Sequence, residues 1–141
     1  MKPFAGVYTP IITPFRDDDA VDEAGLRGNV RRWMTSALTG IVVLGSNGEA
    51  PQLDDDEADR VVAVAREEVP RDRPFIVGTG RESTRATIAA TRRAAREGAD
   101  AVLVRTPGFF KSQMTGDVFA RHYTAVADAS PASANVTSSS S

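Results

Sequence analysis

At 141 residues, with 41% hydrophobic and 26% charged side chains, the chain has the size and composition of one soluble globular domain. Its net charge of −2, with acids and bases interspersed, offers no basic face of the kind that nucleic acid or an anionic membrane requires. The absence of cysteine removes disulfides, thiol nucleophiles and thiolate metal sites together.

The opening MKPFAGVYTPIITPF carries one lysine and an apolar run broken by proline. It is too short for a signal peptide or a membrane span, and the expectation is a cytoplasmic protein. Within it, the aromatic and β-branched residues of Phe4 to Ile12 predict a first strand that stops at Thr13-Pro14. Leu26, Val30, Trp33, Met34 and Ala37 then recur at helical spacing and predict one apolar stripe of a first helix. A short apolar run, Ile41 to Leu44, predicts a second strand, and the loop GSNGEA follows it directly.

Asp54, Asp55, Asp56 and Glu57 come next, where acids cap free amides and oppose the positive end of a helix dipole. This acidic run is read as a helix start and not as a metal site, and no metal is expected. Ala58, Val61, Val62, Ala65 and Val69 supply that helix with its stripe. Phe75 to Val77 predicts a third strand, Ser83-Thr84 to Gly98 a third helix with a glycine stop, Ala101 to Val104 a fourth strand, and Thr115 to Asp128 a fourth helix.

The order βαβαβαβα gives parallel strands joined by helical crossovers, either an open doubly wound sheet or a barrel, and spacing alone leaves both open. In either, loops after strands lie at the carboxyl edge, where ligands bind. GSNGEA is such a loop. Backbone N–H groups exposed before a helix, with Ser46 and Asn47 as short side-chain donors, suit a carboxylate or phosphate. An ordinary strand-to-helix turn fits the same hexapeptide. Gly78-Thr79-Gly80 has a similar form, although the Ser83 and Thr84 hydroxyls beyond it need do no more than cap.

Taken together, GVYTPIITPF, VVLGSNGEAPQL, DDDEADRV, IVGTGRESTRATI, GADAVLVRTPGFFK and HYTAVADASP resemble the N-terminal half of the dihydrodipicolinate synthase and N-acetylneuraminate lyase superfamily. The resemblance implies a (β/α)8 TIM barrel, of which residues 1–131 cover about four βα units, and a pyruvate-dependent class I aldolase or related lyase, usually a homotetramer, that needs no cofactor. It implies that Gly45 to Glu49 hold the carboxylate of pyruvate or another 2-oxo acid. Ser46 is then the proton-relay hydroxyl, and the amides of Ser46 and Asn47 donate to the carboxylate. Glu49 is expected to support the loop by hydrogen bonding. Ser46-Asn47 stands where the synthases commonly have two threonines, which leans toward the lyase and hydroxy-oxo-acid aldolase branches.

Thr106 to Lys111 matches the loop where many members carry a tyrosine of the relay. Here Phe109 and Phe110 have no hydroxyl to pass a proton, so the relay runs through water or the rings serve as apolar walls. Lys111 is expected to be solvated, and His122 and Tyr123 to pack or cap. The family's fifth-strand tyrosine and sixth-strand lysine have no counterpart among the residues given. Asn135-Val136-Thr137 is at most a remnant of the fifth-strand motif, and 132–141 is expected to be a disordered serine-rich tail. Imine chemistry needs a strand lysine, and the only lysines are Lys2 and Lys111. Three expectations stand: a truncated, inactive fragment of such a lyase; a half-barrel that assembles with a partner or with itself; or a non-enzymatic small-carboxylate-binding module.

Overall fold

The computed structural model describes residues 4–131 and the backbone of 135–139. Its elements are β1 (Tyr8–Pro10), α1 (Glu23–Met34), β2 (Gly40–Val43), α2 (Asp55–Glu68), β3 (Phe75–Gly78), α3 (Thr84–Arg96), β4 (Ala101–Arg105), α4 (Gly116–Ala129) and β5 (Asn135–Ser139). The strands form one parallel sheet in the order β1-β2-β3-β4-β5. That order decides between the two architectures left open above. A doubly wound sheet reverses its strand order at a switch point, whereas a barrel adds each strand beside the last. Right-handed crossovers that never reverse keep every helix on the same face. The helices accordingly pack side by side, α1 on α2, α2 on α3 and α3 on α4.

Burial alternates along the strands for this reason. Ile41, Val43, Phe75, Val77, Val102 and Val104 face the helices and are fully buried. Val42, Ile76 and Leu103 face the other way and are only half-buried. Continuous apolar runs imply two covered faces; the helices cover one of them. From the helices come Leu26, Val30, Val61, Val64, Ala65, Ala94 and Val126, which complete the core.

Local chemistry starts and stops each helix. Asp54 accepts from Glu57 N while the Glu57 carboxylate accepts from Asp54 N, a reciprocal capping box at the predicted acidic run. Ser83 and Thr115 cap α3 and α4 through their hydroxyls. Gly98, at φ +90°, takes the left-handed turn that ends the α3 region. The first helix is shorter than its stripe. Thr35 and Ser36 turn their hydroxyls back onto the Arg32 and Trp33 carbonyls, which closes α1 at Met34, leaves Ala37 outside it and Trp33 exposed. The first strand is shorter as well, because Gly6 at φ +137° bends the chain before it and Pro10 has no N–H to donate.

Asn135–Ser139 pair in parallel with Ala101–Arg105 as β5, where the serine-rich composition led us to expect disorder. Backbone groups alone make this ladder, so low apolar content does not prevent it. Residues 132–134 and 140–141 of the expected tail lie outside the described residues.

Candidate functional site

The loops at the carboxyl ends of β1 to β4 share one edge of the sheet. Their centre is the segment after β2. Gly45 is extended, and Ser46–Gly48 form one 3₁₀ turn whose first bond is Gly48 N to the Gly45 carbonyl, at 3.1 Å. The amides of Ser46 and Asn47 therefore precede the ladder, where a helical turn has no acceptor of its own. Both residues are exposed. Among the described residues, neither side chain takes an internal hydrogen bond.

The strain of this loop does not sit at its glycines. Gly45 has φ −76°, while Leu44 and Glu49 stand in the left-handed region at φ 57° and 52°. A non-glycine residue there costs about 1–2 kcal/mol. Strained backbone of this kind collects at functional sites. Glu49 supports the loop as expected, but through its backbone: its amide donates to Ser46 and its carbonyl accepts from Gln52. Gly48 serves a close approach instead. A Cβ on it would lie 3.2 Å from the Ile11 carbonyl oxygen. Beside it the buried Thr13 donates to the Gly48 carbonyl at 2.7 Å and ties the β1 loop to the β2 loop. Thr13 was read only as a strand stop; the TPxxTPF spacing carried no sign of this bond.

Gly78-Thr79-Gly80, whose form invited a second cradle, is a packing joint. A Cβ on Gly78 would stand 2.6 Å from the Leu44 carbonyl carbon, and one on Gly80 2.7 Å from Arg105 N. Thr79 is buried and its hydroxyl meets that of Thr91 on α3 at 3.0 Å. Gly78 thus lets the left-handed Leu44 carbonyl pass over β3, which sets where the Ser46 loop begins.

The loop after β4 presents Phe109 and Phe110, 79% and 61% exposed, packed edge to face with centroids 5.0 Å apart. Glu82, which sequence reasoning missed, anchors it. One carboxylate oxygen accepts from both Gly108 N and Phe109 N at 2.9 Å, and the other pairs with Arg105 at 2.9 Å. The Phe109 amide bond, then the Gly108 bond and the Arg105 guanidinium, hold the Glu82 carboxyl below the ordinary glutamate value. Lys111 lies in the exposed 3₁₀ turn beyond the phenylalanines. His122 is buried, its Nδ1 2.9 Å from the Thr84 hydroxyl, and burial lowers its pKa. Tyr123 OH donates to the Val104 carbonyl at 3.4 Å. His122 thus ties α4 to α3, and Tyr123 ties it to β4. Lys2 lies outside the described residues.

At the opposite, amino-terminal end of the strands, Leu38, Thr39, Asp72 and Arg73 border an open hollow of about 360 Å³. In barrels that end serves stability, not chemistry. Among the described residues no cluster of His, Asp and Glu could hold a metal ion, and no helix is long and apolar enough to cross a membrane.

Comparison with known proteins agrees with this geometry. A family model described as the dihydrodipicolinate synthetase family matches residues 3–136. The chain is 40% identical over 130 residues to a probable mitochondrial 4-hydroxy-2-oxoglutarate aldolase of Emericella nidulans, covering 89% of this chain and 42% of that protein. It is 43% identical over 126 residues to a 4-hydroxy-tetrahydrodipicolinate synthase of Geobacter sulfurreducens, with 89% and 42% covered. Among solved structures, YagE, a prophage protein of the dihydrodipicolinic acid synthase family from E. coli K12 in complex with pyruvate, superposes with a TM-score of 0.88 at 29% identity, covering 96% of this chain and 44% of that one. The chain thus spans less than half the length of these relatives, and its sheet corresponds to the first half of a TIM barrel.

Proposed function

The chain belongs to the dihydrodipicolinate synthetase family, a family of lyases and aldolases on the TIM-barrel fold, and from that premise we propose that it supplies the carboxylate-binding half of a site for pyruvate or another 2-oxo acid. Ser46 and Asn47 donate their amides to the substrate carboxylate, and the Ser46 hydroxyl passes a proton to and from the reacting centre. The observation that carries this reading is the Ser46–Gly48 turn itself. It lies at a strand's carboxyl end, is strained at both Leu44 and Glu49, and offers two amides ahead of its first hydrogen bond.

The same proposal assigns the rest of the chemistry. A class I lyase condenses a lysine amine with the substrate ketone, releasing water and leaving an iminium that accepts the electron pair of the bond being broken. Lys111 is solvated beyond β4, so these 141 residues alone do not form the imine. The lysine and a relay tyrosine come from strands beyond them. Phe109 and Phe110 form an apolar wall in place of a relay hydroxyl. The Ser46-Asn47 pair supports a hydroxy-oxo-acid aldolase or related lyase over a synthase.

A half-barrel that assembles with a separate second half, or with a copy of itself, is a second reading. It is supported by the half-buried inner face at Val42, Ile76 and Leu103.

The test is a barrel in which residues 1–131 are joined to the second half of a family lyase. There Ser46→Ala should lower kcat by about a hundredfold while KM changes little, since a relay hydroxyl acts in the transition state. An unchanged kcat removes Ser46 from the mechanism.

A further inference from the structure

We propose that Glu82 is a positioning residue, an ionised carboxylate that fastens the loop after β4 so that the Phe109–Phe110 pair stands as a fixed wall at the carboxyl edge. That the wall serves a substrate rests on the lyase reading above; the fastening does not.

Exposed rings gain little from packing, so something other than burial must place Phe109 and Phe110, which are 79% and 61% exposed. The loop's remaining backbone bonds are internal. Gln113 N donates to Phe110, Met114 N to Lys111 and Thr115 N to Gln113. These shape the turn without joining it to the domain. Among the described residues, the side-chain hydrogen bonds that reach 106–114 from outside are those that Glu82 accepts from Gly108 N and Phe109 N.

Glu82 is itself well placed to act as an anchor. It sits between the Gly80 joint and the Ser83 cap of α3, two points fixed by backbone approach and by a hydrogen bond. Its second oxygen pairs with Arg105, the last residue of β4. The carboxylate therefore joins the start of α3, the end of β4 and the first residues of the loop. Hydrogen bonds to a charged acceptor are stronger than neutral ones. Their strength here depends on ionisation. The tie is present above the ordinary glutamate pKa and is lost as the pH falls through the lowered value.

Hydrogen exchange read by mass spectrometry on the 141-residue chain tests this, whatever its oligomeric state. In Glu82→Ala the peptide over 108–113 should exchange about tenfold faster than in the native chain while the peptide over α3 is unchanged. Glu82→Gln keeps the shape and a neutral acceptor, so it should fall between the two. After correction for intrinsic rates, the native peptide should lose protection as the pH is lowered below about 4.5, and the Gln variant should show no such step. Equal exchange in native and Ala chains overturns the proposal, as does a pH step that survives in the Gln variant. Should Glu82→Ala disturb α3 as well, the Gln comparison and its pH profile decide. Pyruvate added to the native chain is a separate arm: failure to protect the peptide over 45–49 counts against the carboxylate reading and leaves the Glu82 result standing.

Discussion

Replacing Gly78 by alanine should displace the start of the Ser46 loop and cost the fold about 3 kcal/mol. Gly78 does not lie in the left-handed region, so alanine meets no backbone penalty there and the whole cost is steric. The added Cβ would stand 2.6 Å from the Leu44 carbonyl carbon, nearer still to its oxygen, and 3.3 Å from Gly45 N. Ordinary contact begins at 3.4 Å, so the overlap is 0.8 Å at the carbon alone. The obstacle is backbone and cannot rotate away as a flexible side chain could. Overpacking of a filled interior costs about 1–3 kcal/mol, occasionally more, and this case belongs at the upper end. With a slope of about 1–3 kcal/mol per molar urea, the unfolding midpoint should fall by about 1–3 M. Gly28→Ala is the matched control of opposite sign. Gly28 lies in α1 with nothing within 4 Å of the added Cβ, so alanine should stabilise by up to about 1 kcal/mol through helix propensity. A Gly78→Ala midpoint equal to the native one would refute the close-approach argument.

Other predictions concern the site's supports. Thr13→Val keeps the shape and deletes the bond to the Gly48 carbonyl, stranding a buried acceptor; it should cost about 1–3 kcal/mol in urea unfolding and raise hydrogen exchange over 45–49 before exchange rises elsewhere. His122 is the only histidine, and burial holds its folded pKa below the unfolded value of about 6.5. The unfolded chain therefore takes up a proton first as pH falls. Stability should be full above that value and decline as the pH falls below it, by at most about 1.4 kcal/mol per unit, and His122→Gln should flatten the decline.

Much of this arrangement was legible because it is written in local chemistry. The acidic run at Asp54, the hydroxyl at Ser83 and the glycine at Gly98 mark helix ends through bonds to their own neighbours. The short apolar runs located β2, β3 and β4 to within a residue. The order of family motifs pointed to a barrel, and the unreversed strand order is the barrel's own. What escaped was non-local. Thr13 meets Gly48 across 35 positions and Glu82 meets Phe109 across 27, and no periodicity records which distant loops will be neighbours. The packing role of Gly78 escapes the sequence for the same reason. Its neighbour is the Leu44 carbonyl, and the left-handed turn of that leucine is imposed by the fold and not by its own side chain. The strand at 135–139 escaped because a ladder on an open edge needs backbone rather than an apolar pattern.

The central claim is that the turn at Ser46 and Asn47 holds a 2-oxo acid by its carboxylate. A crystal structure of the joined barrel, trapped with pyruvate and borohydride, tests it most directly. The account predicts that the bound carboxylate lies within about 3 Å of the Ser46 and Asn47 amides, with the Ser46 hydroxyl turned toward the former ketone carbon. A carboxylate held by other groups, with both amides left to solvent, would contradict it.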